Sequence, residues 1–325
     1  MSSPVAVVDV SEINQETADK LVEAASTLGF IFIEGSGFTK QDIDGAFDLS
    51  KRFFELPFEE KNEVPIDPSN HGYSAMNVEN LDPQYNTKGD PKEAFNFGNF
   101  VNGRPEKPIP KFFENNINQL SELEQKCHTL SNRLLTLLGL GLKIETGSEW
   151  FADRHKANEP SGSILRFLFY PGQKKTEPQE QIRAGAHTDY GSLTLLFQKE
   201  GEDGLEILSP ITKQWTPVPF LAPKDANSAP PIIVNIADLL SFWTAGVLKS
   251  SIHRVKFPKK AQETGQDRYS IVYFCHPSDA TLLEPVPSPI VAQVKNRGAN
   301  REGQKVLTAQ EHLQKRLAAT YGWKE

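Results

Sequence analysis

Two short stretches of this chain carry side chains whose types and spacing suit chemistry. In Ala186-His187-Thr188-Asp189 an extended backbone would set every second side chain on one face, so His187 and Asp189 can point into one cavity. A third donor must come from elsewhere, and the best candidate is His253 in the β-rich run Ser250-Ser251-Ile252-His253-Arg254-Val255. Two imidazoles and one carboxylate form a facial donor set suited to iron(II) in oxygen chemistry, with further coordination positions left open. The same donors also suit zinc in a hydrolase. A histidine and an aspartate two apart arise often by chance, and an isolated strand histidine is commonly a core or surface residue. His71, His128, His155 and His276 have no carboxylate at matching alternation and are weaker candidates.

The second stretch is Asp267-Arg268-Tyr269-Ser270. Arg268 and Ser270 alternate onto one face, where a guanidinium fork and a hydroxyl can meet the far carboxylate of a dicarboxylic acid through charge-assisted hydrogen bonds. By itself an arginine on an amphipathic strand is a solvent-facing charge. It gains meaning only in combination with the metal set. A zinc hydrolase would leave the Arg268 and Ser270 pair unexplained, and it finds no obvious general base here. A non-catalytic binding module would be expected to have lost a ligand or the arginine.

Such residues need a scaffold of strands, and the second half of the chain supplies one. After Ser161, short β-branched and aromatic runs alternate with turn residues: 164–170, 192–197, 205–208, 232–236, 251–255 and 269–274. Many short strands so spaced indicate a barrel or a double-sheet jelly roll. The first half reads differently. A strand over Val5 to Val10 precedes a helix opened by Ser11 and Glu12, and a strand over Phe30 to Ile33 follows Gly29. Thr39 caps a helix through Ile43, Phe47, Leu49 and Phe53 that stops before Pro57. From Pro65 to Pro110 the density of Asn, Asp, Gly and Pro predicts long loops with little regular structure. A long helix follows, with Ile117, Leu120, Cys127, Leu130, Leu134 and Leu138 at helical spacing, and the stretch Ala309 to Tyr321 closes as another.

Composition narrows the partners. A formal net charge of -7 over 325 residues, with no basic cluster, argues against nucleic acid and anionic membranes and favours a small-molecule substrate. No window approaches the roughly 18 apolar residues of a membrane span, and no secretory leader is evident, which predicts a cytoplasmic protein. Cys127 and Cys275 form no CxxC pair and read as buried small hydrophobes.

With these residues in view, nearly the whole chain resembles the fungal and plant 2-oxoglutarate and iron(II)-dependent oxygenases of the isopenicillin N synthase-like group. The resemblance rests on VAVVDVSE, LGFIFIEGSGF, KEAFNFG, LRFLFYPG, RAGAHTDYGSLTLLFQ, GLEIL, IIVNIADLLSFWTAGVLKSSIHRV and DRYSIVYFCHP. RAGAHTDYGSLTLLFQ, RYSIVYFC and RLAATY look most like the fungal thymine-hydroxylating branch. The resemblance implies a mixed α and β fold, a double-stranded β-helix (jelly roll) core with flanking helices. It divides into an N-terminal region over 1–110 and a catalytic core over 111–325, packed as one compact unit. It implies that His187, Asp189 and His253 hold iron(II), that Arg268 and Ser270 bind the far carboxylate of 2-oxoglutarate, and that Tyr170 contacts this co-substrate. Arg166, Tyr190 and Phe274 would face the prime substrate; the alternatives are aromatic packing for the two rings and a structural ion pair for the arginine. The implied reaction consumes dioxygen, releases succinate and carbon dioxide, is stimulated by ascorbate, and hydroxylates a C–H bond, with desaturation or ring closure as the alternatives within the group. Two departures stand out. Leu168 replaces an asparagine common in plant members, and His276 stands where the thymine-hydroxylating branch looks to have asparagine.

Overall fold

The computed structural model describes residues 5–81, 88–172, 181–295 and 306–321. The chain enters through β1 (Ala6–Asp9), α1 (Gln15–Thr27), β2 (Phe30–Glu34) and α2 (Lys40–Phe54). Helix α1 begins three residues beyond the expected Glu12, because Asn14 is the residue whose side chain accepts the Thr17 N–H. Thr39 caps α2 as expected, in a reciprocal capping box with Asp42. Beyond the end of α1, Gly29 takes φ +70°, and a Cβ there would fall 1.8 Å from the Lys249 carbonyl oxygen, so no side chain fits.

The stretch expected to be loops is more ordered than its composition suggests. It holds β3 (Gly72–Ser74), β4 (Glu93–Asn96), β5 (Phe100–Val101) and β6 (Arg104–Pro105), after a short α3 (Phe58–Lys61). All four residues of β4 are buried, so it shows none of the in-out alternation that marks a strand in a sequence. A short α4 (Lys111–Glu114) leads into the long α5 (Ile117–Gly141), whose buried stripe is the one anticipated.

The remaining strands are β7 (Ile164–Tyr170), β8 (Ile182–His187), β9 (Leu193–Phe197), β10 (Leu205–Leu208), β11 (Trp215–Pro217), β12 (Ile232–Ile236), β13 (His253–Lys256) and β14 (Arg268–Cys275). Short helices α6 (Asp238–Trp243), α7 (Lys259–Thr264) and α8 (Pro289–Lys295) and the terminal α9 (Ala309–Tyr321) punctuate them. Apart from the β5-β6 pair, the strands form a large sheet in the order β1-β2-β12-β9-β14-β7-β4-β3 and a smaller one in the order β11-β10-β13-β8. This is the jelly-roll core.

The period of two along β7 and β14 sorts their side chains between two environments. Leu165, Phe167, Phe169, Tyr269, Ile271, Tyr273 and Cys275 pack with α1, α2 and α5 in the principal core, where Cys127 is also buried. Leu168, Tyr170 and Val272 point the other way and meet Ala184 and Val255 of the smaller sheet. The site lies in this second interface, walled by both sheets. No helix among the described residues is long and apolar enough to cross a membrane.

Candidate active site

The two histidines meet because their strands pair. His253 on β13 lies directly opposite His187 on β8, and their ring centres are 4.3 Å apart. Asp189 lies past the end of β8 rather than on it, so plain strand alternation does not explain its position. It is turned inward there because its carbonyl accepts the Asp238 N–H at 2.8 Å. Its Oδ1 stands 3.8 Å from Nε2 of His187 and 3.7 Å from Nε2 of His253. One donor atom from each residue falls within 4.8 Å of the others, a spacing that suits a single metal ion.

Each donor is oriented from behind. Nδ1 of His187 donates to the Gly185 carbonyl at 2.7 Å, and Nδ1 of His253 to the Ser251 carbonyl at 3.2 Å. A carbonyl can only accept, so the proton sits on Nδ1 and each Nε2 lone pair faces the cluster. Oδ2 of Asp189 accepts Thr194 Oγ1 at 2.7 Å and Asn235 Nδ2 at 2.8 Å, which leaves Oδ1 as the outward donor. Burial raises the Asp189 carboxyl, but the two imidazoles and these hydrogen bonds outweigh it and hold the group below the usual carboxylate range. Burial, and then the neighbouring His253 ring, push His187 below its ordinary value, which keeps it neutral and able to ligate.

Across the gap, β14 presents Arg268, Ser270, Val272 and Phe274 to a cavity of about 80 Å³ that also touches His187, Asp189 and His253. Arg268 is 4% exposed. Its Nε donates to the Glu202 carbonyl at 3.1 Å, while its Nη1 and the Ser270 Oγ are buried with no partner among the described residues. Buried donors left unpaired are costly, so two of them facing one small cavity fit an acidic ligand that accepts both. Tyr170, directly opposite Arg268 on β7, lines the same cavity with its ring 5.0 Å from the guanidinium carbon. Leu168, in place of a polar residue, forms part of the wall. These residues fit both a divalent metal and a dicarboxylate co-substrate.

A larger cavity of about 460 Å³ adjoins this one and shares His187, Asp189, Arg166 and Phe274 with it. Arg166, Tyr190, Phe274 and His276 line it, with Leu313 and Leu317 of α9 as a further wall. Arg166 is ion-paired with Glu79, so its charge is already matched. The Tyr190 ring lies 5.4 Å from the Arg316 guanidinium. Burial pushes His276 down to about 3, which keeps its ring neutral.

Several contributors escaped the sequence reading. Thr194 and Asn235 interrupt the apolar runs LTLLF and IIVNI, and a polar residue on the inward face of a buried strand was the available signal. Lys92 sits on the smaller cavity between Glu79 at 3.1 Å and Asp90 at 3.0 Å, and Arg183 lies close enough to Arg268 that burial and that neighbour lower it to about 10. Nothing local marks these two as buried.

Comparison with known proteins agrees with this geometry. Residues 5–122 match the family described as non-haem dioxygenase in morphine synthesis N-terminal, and residues 161–277 match the 2OG-Fe(II) oxygenase superfamily. Clavatol oxidase claD of Penicillium crustosum is 31% identical across 94% of this chain and 91% of its own length. The 2-oxoglutarate-dependent dioxygenase gloF of Glarea lozoyensis is 29% identical across 93% and 92%. The crystal structure of the full-length thymine-7-hydroxylase of Neurospora crassa with alpha-KG and thymine superposes with a TM-score of 0.78 at 29% identity, covering 98% of this chain and 97% of that one. The chain therefore belongs to the 2OG-Fe(II) oxygenase superfamily, as a 2-oxoglutarate-dependent dioxygenase that works with iron(II) and dioxygen.

Proposed function

We propose that His187, Asp189 and His253 are the iron ligands, that Arg268, Ser270 and Tyr170 hold 2-oxoglutarate, and that the larger cavity takes a small organic molecule whose C–H bond is hydroxylated. The observation that carries this reading is the pair of unpartnered donors, Arg268 Nη1 and Ser270 Oγ, in the cavity that the three ligands also line. Iron(II) with 2-oxoglutarate and dioxygen supplies the oxidising power, with succinate and carbon dioxide as by-products.

The chain's own residues supply placement. Thr194 and Asn235 hold the rear oxygen of Asp189, so this carboxylate offers the metal one atom and leaves room beside it. Arg268 and Ser270 fix the far end of the co-substrate, while Leu168, Leu196 and Val272 keep its middle dry, which strengthens the charged contacts. Arg166, Tyr190 and Phe274 orient the prime substrate near His187 and Asp189, where a held geometry can supply much of the rate. A volume of about 460 Å³ suits a small molecule. With Arg166 matched by Glu79 and Lys107 paired to Asp67 at 3.2 Å, neither cation favours an anionic substrate. The chain acts as one unit in this reading, since β1 to β4 lie in the same large sheet as β7, β9, β12 and β14.

The test is to incubate a metabolite extract with purified protein, iron(II), ascorbate and 2-oxoglutarate, and to follow substrates by mass spectrometry. A species that gains one oxygen atom supports hydroxylation, and one that loses two hydrogens replaces it with desaturation or ring closure. No 2-oxoglutarate-dependent change in any extract would count against the reading.

A further inference from the structure

We propose that Asp238 is a positioning residue that ties the C-terminal helix to the metal centre, so that the seating of α9 over the larger cavity sets how the three ligands present their donors. This rests on the assignment of His187, Asp189 and His253 as ligands.

One carboxylate joins three separate parts of the chain. Oδ1 of Asp238 accepts Ser250 Oγ at 2.6 Å; Oδ2 accepts Thr188 Oγ1 at 2.9 Å and pairs with Arg316 Nη2 at 2.5 Å. Arg316 Nη2 also donates to Thr188 Oγ1 at 3.3 Å. Each partner has a defined relation to the metal set. Thr188 lies between His187 and Asp189, and the Asp238 N–H holds the Asp189 carbonyl. Ser250 precedes Ser251, whose carbonyl takes the Nδ1 proton of His253. Arg316 sits on α9, one residue from Leu317 and three from Leu313, which wall the larger cavity. Asp238 therefore holds the Asp189 backbone directly, bonds the residue that follows His187 and the residue that precedes the Ser251 support of His253, and reaches α9 through Arg316. A surface ion pair that merely pinned α9 would need neither serine nor threonine on the same carboxylate.

The experiment titrates cobalt(II) into the metal-free full-length chain and records both its affinity and its visible d–d band, in wild type, His187→Ala, Asp238→Asn, Arg316→Gln and the double variant. Asp238→Asn should weaken cobalt by about 10- to 100-fold, as loss of a ligand's support does. Arg316→Gln, which offers the metal nothing, should still weaken it by about fivefold or more and shift the band, the low end of coupling between separate sites. The double variant should match Asp238→Asn alone, since both act along one path. Should Asp238→Asn fold poorly, Ser250→Ala tests the same link from the other side and should shift the band as well. A wild-type affinity and band in Arg316→Gln, or additive losses, would overturn the coupling. His187→Ala separates the two ideas: if it abolishes the band while Arg316→Gln leaves it unmoved, only the coupling falls. If it keeps the wild-type band, the ligand assignment fails and takes the coupling with it.

Discussion

Replacing Arg268 with glutamine separates the two halves of the site. Its Nε is already engaged by the Glu202 carbonyl, so the amino groups at the end of the guanidinium are what remain for a ligand, and Nη1 has no partner among the described residues. Charge-assisted hydrogen bonds contribute on the order of 1.5 to 3 kcal/mol each, and glutamine restores at most one neutral bond. The second guanidinium nearby, Arg183, keeps the pocket cationic and so trims the loss. A net weakening of about 1.5 to 3.5 kcal/mol follows, which is roughly ten- to several-hundred-fold in the dissociation constant of 2-oxoglutarate. Iron affinity should stay close to wild type, because Arg268 touches none of the three ligands. The measurement is an anaerobic titration of 2-oxoglutarate into iron(II)-loaded protein, followed by the visible charge-transfer band. Ser270→Ala should lie in the same direction at about two- to tenfold, the worth of one neutral donor. Indistinguishable dissociation constants for wild type and Arg268→Gln would refute the anchor. Equal loss of iron and co-substrate would refute the division of labour.

Three further outcomes are expected. Asp189→Ala should retain little iron by metal analysis, whereas Thr194→Val, which keeps the carboxylate but removes one of the two donors to its rear oxygen, should weaken iron by about tenfold; full occupancy in Asp189→Ala would contradict the ligand set. Phe274→Ala, at a residue that lines both cavities, should lower formation of oxidised product by about tenfold or more through misplacement of the substrate, and weaken 2-oxoglutarate by less than that; a parallel loss of thermal stability and of every affinity would instead mark it as packing. The third concerns pH. Buried His155, which donates to the Phe151 carbonyl at 2.7 Å and bonds Ser192 Oγ at 2.8 Å, is pushed by burial from 6.5 down to about 4. The unfolded chain then binds the extra proton between these values, so stability should fall as pH drops from about 6.5 towards 4, by about 3 kcal/mol in all. Urea midpoints across that range should show a shallower slope in His155→Gln, and an unchanged slope would contradict the assignment.

What could be read from residues alone follows from which environments impose a local pattern. Strands β7 and β14 separate a helical core from a cavity, so their side chains alternate, and Arg268 and Ser270 declare themselves by that alternation. Strand β4 is buried on both faces and carries no alternation, so it was invisible between Asn- and Gly-rich flanks. Lys92 and Glu79 looked like loop polars, yet they are buried because they meet each other and Arg166 from distant parts of the chain. A pairing of that kind has no local signature. Asp189 stands beside the two histidines for a different reason from the expected one: the strand stops at His187, and the hydrogen bond from Asp238 completes the turn inward. That these three residues share a cluster is legible in the residue pattern, but the hydrogen bonds that hold them are not.

In the proposed reading the two histidine ligands sit on the smaller sheet, with Asp189 just beyond it, and the carboxylate anchor on the larger one, which has a consequence for the life of the protein in a cell. Whatever fills the gap clamps the two sheets together, and a ligand present at about 100 times its dissociation constant adds about 2.7 kcal/mol to the folded state. The folded fraction, and with it resistance to proteolysis, is then indexed to the supply of iron and of a central carbon metabolite. On that reading, the chain without either ligand would unfold and be degraded more readily.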